Sequence, residues 1–343
     1  LGALPDAGHV RQDLARTRVA TGDIRGGLTE LREARRITAS VEPGLRAVGD
    51  LALASAELHL ALGEYPAAMV LFEEAEASFT EASSLAGQAA AVEGQGLLSL
   101  LRGDEAEALG LLARSASLQA QAPRVDPRAS SVTRYYLASA QEEVGDVDGA
   151  RASLEEAREG LASVGDAVGE AAVLSVLGAL EARSGAPQTA DSLLARGLEL
   201  LEDRSAPEVR SRLHAERAAI LAASGRLAEA SEEYHKAVRA VDGPIAGLPM
   251  ESGLPARMRA SDLLAARAGI LLDLGEVGEA FLTSERSRAR NSLTSISGGR
   301  LGIPPGAPAG LVEREQDLRR RLHDLAGATE SGGWDPLGLR DAT

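Results

Sequence analysis

Small and apolar residues recur along the chain at helical spacing, in long blocks separated by short turns that start with glycine. Successive turn glycines are separated by 41, 40, 42, 40, 40 and 50 residues. So regular a series is typical of a repeat architecture, in which each supersecondary unit buries its apolar face against its neighbours. The turn glycines are Gly22, Gly63, Gly103, Gly145, Gly185, Gly225 and Gly275.

The same residue types stand at fixed offsets from every turn glycine. The seventh residue before it and the fifth residue after it are always Ala or Gly, and the ninth residue after it is large in six of the seven blocks. Small residues on two helices let their backbones approach, and a large residue fills the space that remains. A glycine can end the first helix in a left-handed conformation. The pattern therefore predicts helix–turn–helix pairs with close contacts between the two helices.

The register resembles that of tetratricopeptide repeats (TPRs), with a period of about 40 residues instead of the usual 34. The resemblance implies an all-α fold, a right-handed α-solenoid of seven repeats over residues 1–296. A segment rich in Gly and Pro, residues 297–310, is expected to be a linker to a charged helix at residues 311–327. Residues 328–343 are expected to form a flexible tail.

Composition supports helices and limits the class of partner. Hydrophobic residues make up 44% of the chain but aromatic residues only 2%, so the core must be built mostly from Ala, Leu and Val. A formal charge of −15 argues against nucleic-acid binding and against anionic membranes, because both need positive charge. No apolar run is long enough to span a bilayer. We expect a cytoplasmic protein, and a chain that begins at Leu1 is expected to be part of a longer one.

Catalytic and metal-binding patterns are missing from the sequence. There is no cysteine, which excludes disulfides, thiolate metal sites and a cysteine nucleophile within this chain. The five histidines lack metal-ligand spacing, and no phosphate-binding loop, nucleophile elbow or dinucleotide fingerprint occurs. The sequence therefore predicts a non-catalytic chain that needs no cofactor or metal.

A partner is expected on the concave surface that the first helices of such repeats expose. Residues six or ten positions before each turn glycine should face it, and a protein or peptide is the expected partner. Tyr135 is the one aromatic residue among them and a candidate anchor. The same residues could instead pack between neighbouring helices. The candidates for partner binding are Arg16, Glu57, Glu93, Leu97, Tyr135 and Ser139.

The last repeat ends in the sequence AFLTSERSRARNSLTSI, in which Arg286, Arg288 and Arg290 alternate with small residues. On a helix Arg286 and Arg290 share a face while Arg288 points away, so no single basic stripe forms. The arginines are therefore expected to bridge to acidic neighbours or to a following domain.

This closing helix, with Glu285 to Arg290 and Leu293, is similar to the segment that joins the repeats to the protease in the CHAT family of caspase-like proteins. The resemblance implies a protease domain with a His–Cys dyad beyond this chain, which the repeats would regulate and which is a candidate partner. Two alternatives stay open. One is the sensor array of a bacterial signalling or transcription regulator of the STAND type, and the other is a freestanding adaptor.

Overall fold

The computed structural model describes residues 24–40, 44–124, 126–241 and 254–297, together with five helical residues between 11 and 18. Every regular element with assigned bounds in these ranges is an α-helix, and the described part contains no strand. The helices are α1 (Ile24–Ser40), α2 (Leu45–Ala61), α3 (Tyr65–Glu81), α4 (Leu85–Arg102), α5 (Glu105–Gln121), α6 (Pro127–Glu143), α7 (Val147–Ser163), α8 (Ala167–Arg183), α9 (Pro187–Leu200), α10 (Pro207–Ala223), α11 (Leu227–Val241), α12 (Leu254–Asp273) and α13 (Val277–Ser297).

The helices stack as antiparallel pairs, α2 with α3, α4 with α5, and so on to α12 with α13. Each of these six pairs turns at a predicted glycine, and all six glycines have φ between +73° and +83°. At Gly103 the amide N–H donates to Leu100 O at 3.1 Å, and the next amide, of Asp104, donates to Ser99 O at 2.9 Å. These two hydrogen bonds close the end of the helix. The predicted glycine turns are confirmed for these pairs, whereas Gly22 lies outside the described residues.

The predicted close contact within a pair is present in the structure. A Cβ atom added at Gly96 of α4 would lie 2.7 Å from Cγ of Leu112 in α5, and one at Gly178 of α8 would lie 2.8 Å from Cγ of Leu194 in α9. Both leucines are fully buried. The large residue of the second helix therefore fills the place that the small residue of the first helix leaves empty.

Two phenylalanines of α3 also pack over glycines, but these glycines belong to α4 in the next pair. A Cβ atom at Gly94 of α4 would fall within 2.1 Å of the Phe72 ring, and one at Gly87 within 2.3 Å of the Phe79 ring. Phe72 and Phe79 are each 1% exposed. The two largest core side chains thus lie over glycines of the neighbouring helix, which fixes the spacing of the first two of these pairs.

Residues 1–291 form one compact unit and residues 292–343 form another. The predicted boundary at residue 296 falls within α13. The expected linker at 297–310 lies outside the described residues apart from Ser297, as do the expected helix at 311–327 and the tail at 328–343. They stay predictions.

Candidate partner-binding face

The A-helix face is defined here as the residues six, nine, ten and thirteen positions before the turn glycine in the first helix of each pair. A period of 3.6 residues places these positions on one side of a helix. Among the predicted residues, Glu57 of α2 is exposed, while Glu93 and Leu97 of α4 and Tyr135 and Ser139 of α6 are half-buried. Arg16 lies outside the described residues.

Glu93 connects neighbouring pairs. Its carboxylate accepts a hydrogen bond from the Thr133 hydroxyl of α6, and the Gln119 side-chain amide of α5 donates to the same hydroxyl oxygen at 2.7 Å. Burial raises the pKa of Glu93, the bond from Thr133 opposes that rise, and the nearby charge of Glu57 adds to it. Glu93 therefore helps to hold α4 against α6 and is not only a surface contact.

Tyr135 makes a contact that spans several helices. Its hydroxyl oxygen accepts a hydrogen bond from Nη1 of Arg212 in α10 at 3.1 Å. One whole pair, α8 with α9, separates the two residues along the chain. The α8 residues at the matching positions are small: Ser175, which is fully buried, and Ala172. Because α8 presents so little bulk here, a tyrosine and an arginine from the flanking pairs can meet.

Charged residues surround this contact. Arg183 of α8 forms an ion pair with Glu142 of α6. Glu216, one turn after Arg212 on α10, is half-buried, and burial raises its pKa; the nearby charges of Arg183 and Arg212 lower it, while that of Glu142 raises it. Among the described residues the Glu216 side chain makes no hydrogen bond or ion pair, and the only side-chain hydrogen bond of Arg212 goes to Tyr135. The face thus holds two charged groups with unused hydrogen-bonding capacity.

Sequence reasoning missed Arg212 and Glu216, although the repeat register contained the signal. They stand thirteen and nine positions before Gly225, one on each side of Ala215. In the later pairs, the sixth and tenth positions before the turn glycine hold only small, neutral residues. Adding the residue three positions before each of these two would have found both Glu216 and Arg212.

The closing helix α13 packs as the second helix of the last pair. The Ser287 hydroxyl donates to Ser261 O of α12 at 3.1 Å, and the Arg267 guanidinium of α12 lies 2.6 Å from a Glu279 carboxylate oxygen of α13. Arg286 and Arg288 are exposed, and Arg288 forms an ion pair with Glu285. The side chain of Arg290, the third predicted interdomain residue, lies outside the described residues.

Two other kinds of site do not occur in the described part of the chain. No three His, Asp or Glu side chains come together there in a group that could hold a metal ion. No described helix is both long and apolar enough to cross a membrane. His59 and His214 each contact one carboxylate, of Glu64 and Glu233.

No protein-family model and no curated protein matches this sequence. Several solved structures are similar. A Rap protein complexed with Competence and Sporulation Factor has a TM-score of 0.60 at 13% identity, over 85% of this chain and 76% of that one. The apo form of RapI has a TM-score of 0.61 at 10% identity, over 83% and 98%. The apo form of the quorum sensor NprR from B. thuringiensis has a TM-score of 0.57 at 13% identity, over 86% and 82%. At these identities the likeness shows the fold alone, which is a TPR-type array of stacked helix pairs.

Proposed function

We propose that this chain is a non-catalytic interaction and sensing scaffold that binds a protein or peptide along the A-helix face. The observation that carries the proposal is the group formed by Tyr135, Arg212 and Glu216. Arg212 and Glu216 are half-buried, and in the described part their side chains have donors and acceptors left without protein hydrogen-bond partners. A partner lying on this face would supply them.

The structural neighbours support a binding role. The Rap protein was solved as a complex with Competence and Sporulation Factor, and NprR is described as a quorum sensor. An array of the same fold is therefore suited to hold a ligand and report its presence. The strong negative charge of this chain favours a protein or peptide over nucleic acid, and the proposed binding requires no cofactor. A cytoplasmic location belongs to the same proposal.

Site-specific photo-crosslinking tests where the partner binds. A benzophenone amino acid replaces Ser139 on the A-helix face in one variant and Val70 on α3 in the control. Val70 is 61% exposed and stands on a second helix. We expect one partner to crosslink from position 139 and not from position 70. Equal crosslinking from both positions would place the interaction elsewhere, and peptidase activity of the purified chain would refute the non-catalytic role.

A finer candidate is the regulatory arm of a CHAT-type protease, with that protease domain as partner. The observation that favours it is the closing helix, where Glu285 and Arg288 pair on an exposed surface beside Arg286. The gene sequence on both sides of this chain tests it. A His and a Cys in a caspase-like domain after Thr343 support the CHAT hypothesis. A nucleotide-switch or DNA-binding domain before Leu1 supports the bacterial regulator instead. If neither kind of domain is found, the result supports the freestanding adaptor.

A further inference from the structure

Arg212 and Tyr135 together present hydrogen-bond donors that the described protein does not use. A guanidinium has five N–H donors and no acceptor, and only one of these donors is directed at Tyr135. The tyrosine oxygen accepts that bond, so its own O–H proton remains free to be donated. Two donor groups from α6 and α10 therefore meet at one place on the A-helix face.

The surrounding residues hold Tyr135 in position, and Tyr135 in turn accepts the hydrogen bond from Arg212. The ring of Tyr135 meets that of Tyr136 edge to face, with centroids 5.6 Å apart and planes at 72°. Tyr135 and Val176 of α8 also pack against the buried cluster that contains Leu154 and Leu177. A group held in this way loses little freedom when a ligand binds, which favours affinity.

We propose that Arg212 and Tyr135 bind the side-chain carboxylate of an Asp or Glu in a peptide that lies across α8. This inference rests on the proposed function and names the chemistry of its partner. A planar guanidinium presents parallel N–H groups that match the two oxygens of a carboxylate, and the tyrosine O–H adds a third donor. Ala172 of α8 is small and only half-buried, so it adds little bulk where the peptide would lie.

The negative charge of Glu216 allows an acidic ligand to be distinguished from a basic one. The charge of Arg212 is close enough to Glu216 to lower the pKa of that carboxyl, yet the two side chains form no ion pair. A carboxylate bound at Arg212 is repelled by Glu216, whereas a Lys or Arg side chain bound at the same place is attracted by it. Neutralising Glu216 must therefore tighten the binding of an acidic residue and weaken the binding of a basic one.

Random peptides displayed at the amino terminus of a phage coat protein are selected on the whole chain. Because the displayed peptides have no free carboxyl terminus, only side chains can supply a carboxylate. We expect Asp or Glu to be enriched at one fixed position. A selected peptide is then synthesised as its C-terminal amide and titrated by fluorescence polarisation.

We expect Arg212→Gln to weaken binding by about tenfold or more, and Glu216→Gln to tighten it by about threefold. Arg196→Gln is the control, because Arg196 is an exposed arginine on the second helix α9. Replacing the selected acidic residue by its amide in the peptide should weaken binding to the wild-type chain as Arg212→Gln does. The two losses should not add, because they remove the same interaction. The peptide change leaves the protein intact, so the test holds even where Arg212→Gln does not fold.

Each outcome separates the two proposals. Selection of no peptide at all refutes the proposed function together with the inference. Selected peptides without acidic enrichment, bound equally by the Arg212→Gln variant, leave the function standing and overturn the inference. A peptide that needs Lys or Arg and binds more weakly to the Glu216→Gln variant overturns the inference, because the site then binds a basic side chain.

Discussion

Replacing Gly94 by alanine tests the packing between pairs most directly. Gly94 lies in α4 beneath the ring of Phe72, and an added Cβ would stand 2.1 Å from Cε1, 2.3 Å from Cζ and 2.6 Å from Cδ1. Phe72 is 1% exposed, so its ring has no route into solvent. The helix backbone or the ring must shift to make room. Gly110 of α5 is the matched control, because nothing lies within 4 Å of a Cβ added there.

Two effects of opposite sign decide the magnitude. Overpacking a well-filled core costs about 1–3 kcal/mol. Alanine within a helix is about 0.5–1 kcal/mol more favourable than glycine, because its unfolded chain has less freedom to lose. So close an approach puts the overpacking cost at the upper part of its range, and we expect Gly94→Ala to destabilise by about 1–2 kcal/mol. Gly110→Ala, with no clash, should stabilise by about 0.5–1 kcal/mol.

Urea unfolding followed by circular dichroism gives the free-energy changes, and hydrogen exchange shows where they act. Because repeats are stabilised mainly by their nearest neighbours, the faster exchange caused by Gly94→Ala should be concentrated in α3 and α4. A Gly94→Ala protein as stable as wild type, with Gly110→Ala stabilised as expected, would show that Phe72 does not occupy this place.

Three further expectations follow from the described contacts. Gly185→Ala, at a turn with φ of +83°, should destabilise by about 1–2 kcal/mol in urea unfolding, since only glycine adopts this conformation without strain. Burial alone would raise the pKa of Glu233, but hydrogen bonds from His214 and Lys236 lower it from the ordinary 4.5 to about 2. Its contribution, about 1–2 kcal/mol after allowance for solvent screening, should be present above pH 4.5, decline as the pH falls towards 2 and be missing from Glu233→Gln. A pH-independent difference between the two proteins would contradict this assignment. Thr133→Ala should cost about 1–3 kcal/mol, because it leaves the buried Gln119 and the half-buried Glu93 without their shared partner; a smaller loss, read from thermal melts calibrated against urea unfolding, would mean that water replaces the hydroxyl.

Much of the fold could be predicted from sequence because the repeat rests on short-range physics. A left-handed glycine after a helix and a small residue facing a large one leave marks at fixed offsets, as Gly96 and Leu112 do. The contact of Tyr135 with Arg212 leaves no such mark. It depends on how far successive pairs rotate relative to one another, and that rotation sums many side-chain volumes over three pairs. The packing of Phe72 over Gly94 also joins neighbouring pairs, and only its residue sizes suggest it.

The register could predict which residues stand on the A-helix face but not the contacts that they make. It placed Glu57, Leu97 and Ser139 there, and their role in binding a partner stays a prediction. Glu93 was expected to be a contact residue, while its bond to Thr133 also gives it a role between helices. That role could not be inferred from the sequence, because a carboxylate at an inner position gives no sign of the hydroxyl group opposite it.

The hydrogen bond between Tyr135 and Arg212 also limits how this array can change in length. Ideal repeat arrays couple each unit only to the next, so units can be added or lost with little effect beyond the junction. Here the third and fifth of the six described pairs are joined directly across the fourth. An inserted repeat between residues 164 and 206 would move the two residues apart, and a deleted one would make their pairs adjacent, whereas either event near α12 would leave the contact unchanged. The third, fourth and fifth pairs are therefore expected to unfold together more than pairs that contact only their neighbours.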